Sequence, residues 1–206
     1  MSSRAETFQS PGLLRFCAIA GWTGALTLLL AVVVAPYFVP HHDSIADTIS
    51  DLGAGKYEWI VDVGLYGYAC GLACLAVGAA HMHPGGDVGW TAGLLILLVL
   101  ALLVTVIGAR NEYGDGDSDG VVVHIYLVYA LGAGFAAAPF AMASQARGRL
   151  ALAFRVLGGL WILAAPVFFF LPTGVDGIYE RGLGILALGW SSCLALALWH
   201  QASRHD

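Results

Sequence analysis

A chain of 206 residues in which 59% are apolar and only 11% charged is not an ordinary soluble domain, where about a quarter of the residues carry charge. Its formal net charge of −5 argues against nucleic acid as a partner, because phosphate binding needs a basic surface. The bilayer is the expected solvent.

Six mostly apolar runs, Phe16–Phe38, Trp59–Ala80, Trp90–Gly108, Val121–Ala143, Leu152–Leu171 and Gly182–Trp199, are each long enough to cross a hydrocarbon core of about 30 Å as a helix. The predicted fold is therefore all-α: one six-transmembrane-helix bundle over residues 1–206. The first run is too long for a signal-peptide core and lacks a cleavage pattern, so it reads as a retained span. Outer loops at 39–58, 109–120 and 172–181 leave no room for a separate soluble domain.

The loop after the first span, His41 to Trp59, shows a helical period. Ile45, Ile49 and Leu52 form an apolar face while Asp43, Asp47 and Asp51 recur every fourth residue. This predicts a short amphipathic helix at the interface, with Asp43 as N-cap and Gly53 or Gly55 as its end. Its acids are either a solvated face or carboxylates turned over the mouth of the bundle.

In the second span Asp62 lies about one turn inside, and Gly67 and Gly71 make a small-x-x-x-small pair. Ala130, Gly134 and Ala138 repeat that spacing in the fourth span and, like the glycines, predict close helix approach. Cys17, Cys70, Cys74 and Cys193 all fall in spans without redox or zinc spacing and read as packing residues. Pro36, Pro139 and Pro166 lie at or inside spans, where they expose backbone carbonyls.

Asp115, Asp117 and Asp119, followed by Gly120, reproduce the first half of a calcium loop, but the twelfth position is Tyr126 instead of Glu. Calcium there would stiffen the loop. Zinc at the outer face has raw material in His41, His42, Asp43, Asp51 and His124, dispersed and without ligand spacing.

Arg4, Arg15, Arg147, Arg149, Arg155 and Arg204 gather on the side of both termini, against Lys56, Arg110 and Arg181 opposite. The positive-inside rule then makes both termini cytoplasmic. Most acids lie on the other, outer side, which points to outer-side chemistry.

The run Thr48-Ile49-Ser50-Asp51-Leu52-Gly53, then Asp62 and Gly64, Gly108, His124, and Gly177-Ile178-Tyr179-Glu180-Arg181 resembles the bacterial six-span family catalogued as domain of unknown function 998. The resemblance covers nearly the whole chain. It implies the six-span fold and a bacterial cytoplasmic (inner) membrane, but no reaction. This chain departs from the family pattern at Val128 and at Ala109-Arg110. A similar Ser-Asp-containing loop occurs in the group of damage-regulated autophagy modulators and a Golgi factor in lipid-anchor remodelling, which implies lipid-related work.

The matched positions converge at one depth near the outer leaflet. Charged groups in a membrane need partners, so Asp51, Asp62, His124 and Arg181 are expected in one connected network, either a structural clamp or a site. Three functions follow. The first is binding of a membrane lipid or amphiphile, with Ser50, Asp51, Asp62, His124, Tyr179, Glu180 and Arg181 as its ligands. The second is a lipid-modifying enzyme or hydrolase using Asp51, Asp62 and His124. The third is a subunit of a larger membrane complex or homo-oligomer, with Trp22, Trp90, Trp161 and Trp190 either as contacts or as ordinary membrane-interface or packing residues.

Overall fold

The computed structural model describes residues 9–82, 87–109, 123–146 and 148–204. The described residues contain six long helices, each apolar enough to cross a membrane. α1 (Pro11–Val34) is started by the Ser10 side chain, which accepts from the Leu13 amide, and by Pro11, whose missing N–H costs nothing at a first turn. A 3-10 turn (Ala35–Tyr37) and a short helix, α2 (Ile49–Leu52), follow. The remaining helices are α3 (Trp59–Met82), α4 (Val88–Ala109), α5 (Val123–Ala143), α6 (Arg149–Phe168) and α7 (Asp176–Ala202).

Each long helix packs on the next, α1 on α3, then through α4, α5 and α6 to α7, and contacts between α1 and α7 close the ring. The seam between α1 and α3 is made of glycines. A Cβ on Gly24 would lie 2.6 Å from the Gly67 carbonyl oxygen, and one on Gly71 would lie 3.2 Å from the Gly24 Cα. The small-residue spacing in the second span thus serves a contact within the chain.

The half of the bundle near the termini is solidly packed around Leu14, Trp90, Met142, Phe154, Trp190 and Leu198. The tryptophans belong to this packing. Trp90 and Trp190 are buried, Trp161 Nε1 donates to the Gly132 carbonyl, and Trp22 Nε1 donates to that of Ser192. Trp90, Trp161 and Trp190 are thus buried within the chain, and Trp22 is half-buried. Outward-facing residues are apolar instead, among them Leu102 at 62% and Leu163 at 73% exposure, which suits a lipid surround.

Several expected boundaries move by a few residues, and two of the shifts have a local cause. α7 starts at Asp176, so Gly177 to Arg181 form its first turns and not a loop leading into it. Asp176 complements the positive helix end, and Arg181 satisfies its charge on backbone carbonyls, so the polar stretch stays helical. The first-loop helix shrinks to one turn. Asp43 accepts from the Ile45 amide and Asp47 from the Asp43 amide, local bonds that compete with helix formation. The N-cap is Thr48, not Asp43.

Candidate functional site

In the half of the bundle remote from the termini the packing opens into a cavity of about 640 Å³ between α3, α4, α5, α6 and α7. Its walls are apolar, with Leu65, Val104, Leu131, Phe135, Trp161 and Leu183 among them, and Tyr68 lines it too. The Tyr68 hydroxyl is held by the Ala187 carbonyl and the Ser191 hydroxyl. Tyr129 lines the same cavity, and four further polar side chains reach it at one end: Ser50, Asp62, His124 and Glu180. All four come from the ends of elements at this pole of the bundle: α2, the starts of α3 and α5, and the second turn of α7.

Ser50 is held in place by everything around α2. The Thr48 and Asp51 side chains form a reciprocal capping box: the Asp51 amide donates to Thr48 Oγ1 at 3.1 Å, and the Thr48 amide donates to Asp51 Oδ2 at 2.7 Å. Glu180 accepts from the Ile49 amide, one of the donors that a helix start leaves open. Leu52 is fully buried against Ala31, Ala35, Ile60 and Val61. So held, the Ser50 hydroxyl lies 3.1 Å from His124 Nε2, a hydrogen bond between α2 and α5. His124 is itself 8% exposed.

The segment preceding α2 is docked on α7. The Ile178 amide donates to the Ile45 carbonyl at 2.9 Å, and Arg181 Nη1 donates to the Asp47 carbonyl at 2.8 Å and to Gly177 O at 3.0 Å. The approach is so close that a Cβ on Gly177 would fall 2.1 Å from the Asp47 oxygen. Arg181 Nη2 also donates to His42 Nε2 at 3.0 Å, which leaves the His42 proton on Nδ1, 3.6 Å from Asp47 Oδ2. Burial, and then the Arg181 charge, hold the His42 pKa below its ordinary 6.5.

Of the expected network of Asp51, Asp62, His124 and Arg181, the members meet at the α2 segment except Asp62, and Asp51 feels the Arg181 charge. Asp51 is spent on the α2 cap, and Arg181 serves the docked segment and does not line the cavity. Tyr179 also turns aside, its hydroxyl donating to the Ala164 carbonyl at 2.9 Å as a clamp between α7 and α6. The Asp62 amide donates to the Glu58 carbonyl at 3.0 Å, whereas its carboxylate makes no hydrogen bond or ion pair with a described residue and faces the cavity. The partners expected for it are engaged elsewhere.

The aromatic wall, including Phe135 tilted at 47° against Trp161 with ring centroids 5.1 Å apart, has no signal in sequence beyond ordinary apolar helix. Among the described residues no group of three or more His, Cys, Asp or Glu side chains is gathered to hold a metal ion. His41 is exposed and His42 is committed to Arg181. Asp115, Asp117 and Asp119 lie outside the described residues.

A comparison with curated proteins and with solved structures returned no match. The family model described as "Protein of unknown function (DUF998)" matches residues 23–197, a stretch containing α2, the whole cavity and nearly all of the bundle. The chain belongs to the DUF998 family.

Proposed function

We propose that this multi-pass membrane protein takes the hydrocarbon chain of a membrane amphiphile into its cavity and holds the head group at Ser50, Asp62, His124 and Glu180. The supporting observation is the cavity itself. At about 640 Å³ it falls within the roughly 300–1,000 Å³ of ligand pockets, and like them it is apolar with a few convergent polar groups. In the orientation set by the arginines, with the termini in the cytoplasm of a bacterial cell, the polar end faces the outer leaflet.

The polar end also selects among head groups. It presents two carboxylates, Asp62 and Glu180, and no lysine or arginine lines the cavity among the described residues. A phosphate brought there would meet like charge at low dielectric with no lysine or arginine among the described lining residues to offset it. An amine or hydroxyl head group would instead donate to the Asp62 carboxylate, which no described residue occupies.

Filling the cavity tests this. Gly184 lines it, and a Cβ there meets nothing within 4 Å, so Gly184→Phe is expected to plug the space. The glycine replaced is mid-helix, so helix propensity does not oppose the change. Purified protein should bind a radiolabelled long-chain alkylamine, the Gly184→Phe variant should lose at least tenfold in affinity, and its melting temperature should hold. Equal binding by the plugged variant, or preference for a long-chain alkyl phosphate, would sink the reading.

A further inference from the structure

We infer that Ser50 and His124 form a nucleophile and general-base pair that cleaves the acyl bond of an ester-linked amphiphile whose chain occupies the cavity. The inference rests on the binding reading above and names the chemistry done at the same site. It is carried by a juxtaposition. A serine hydroxyl and a histidine ring nitrogen lie 3.1 Å apart, within the reach a base needs to take a proton. Both line the polar end of a cavity otherwise apolar.

A hydrogen bond meant only to tie α2 to α5 would have no need of a cavity beside it. This one faces space large enough for a chain, and the hydroxyl is on a turn fixed by a capping box, a buried leucine and the Glu180 carboxylate. Such fixing is what a nucleophile requires, since small misplacements cost rate steeply.

The step balances with water as the only co-reactant. In the tautomer carrying hydrogen on Nδ1, His124 Nε2 takes the Ser50 proton as Oγ bonds to the acyl carbon. The ester C–O bond then breaks, and the proton passes from Nε2 to the departing alkoxide, which leaves as an alcohol. Water, deprotonated by the same nitrogen, next attacks the acyl-serine, releases the fatty acid and restores Ser50. The imidazolium is transient in each half, its proton passing on to the departing alkoxide or back to Ser50. A neutral or amine-bearing alcohol suits this end as leaving group better than a phosphate-bearing one.

The test uses the full chain in lipid nanodiscs with a fluorophosphonate probe and with a long-chain p-nitrophenyl ester. Peptide mass spectrometry should place the phosphonyl adduct on Ser50, and the ester should give a burst of nitrophenolate. Ser50→Ala should abolish both. His124→Gln keeps a hydrogen-bonding group of similar reach but no base, and should slow both by about 100-fold or more with the melting temperature retained. Wild-type protein that binds the long-chain alkylamine yet carries no adduct on Ser50 would overturn the chemistry alone, as would equal labelling in His124→Gln or an adduct on another serine. Absence of both alkylamine binding and labelling would remove the binding reading as well.

Discussion

Asp51 and Asp62 are two carboxylates from matched motifs with opposite fates. The first is consumed by its own helix cap, while the second faces the cavity. Nothing in spacing distinguishes them, because capping depends on the extended backbone at Thr48, which the residue pattern only permits. His42 carries a pH response. Its pKa is depressed in the folded protein, so above 6.5 it is neutral both folded and unfolded and contributes no pH dependence. As the pH falls below that value the unfolded chain takes up the proton first, and stability declines until the pH passes the folded-state pKa. The protection factors of the 43–48 amides, measured against intrinsic rates at each pH, should therefore fall in mild acid, and His42→Gln should flatten that fall. A segment equally protected from pH 8 to 5 would contradict the role given to the His42–Arg181 contact.

The long helices are legible in sequence because membrane burial imposes their length. Their ends shift by a few residues, at Ser10 and Asp176 because local chemistry intervenes. α2 was less legible. The four-residue recurrence of Asp43, Asp47 and Asp51 has helical spacing, yet two of those carboxylates turn back on nearby amides and hold the segment in turns. What the spacing missed is tertiary: this segment takes its shape from α7. Gly177→Ala tests the docking, because its methyl must displace the Asp47 carbonyl. We expect a cost of about 1–3 kcal/mol, typical of overpacking, with loss of Ser50 labelling even in molecules that remain folded. Unchanged stability and labelling would show that the contact does not position α2.

At the scale of the molecule the two poles divide the work. The terminal pole is close-packed and tied by polar groups such as Asp87, which caps α4 through the Trp90 amide and accepts from Gln145. The opposite pole holds the space and the reactive side chains. Composition and arginine placement make the membrane and the bundle readable without coordinates, whereas the cavity is not, since a helix residue facing a void and one facing a neighbour read alike. The orientation has its own test. A cysteine introduced at Lys56 should label with an impermeant reagent from the outside of intact cells, and labelling only after the cytoplasmic side is opened would invert the polarity. One consequence of the docking on α7 concerns time. The segment that carries Ser50 is synthesised early, but its anchors, Gly177, Ile178, Glu180 and Arg181, arrive on the last helix of the bundle. A nascent chain with five spans in the membrane has its serine, its histidine and the Leu52 contacts but none of the α7 anchors, so the full positioning of the pair is reached only when translation has delivered α7.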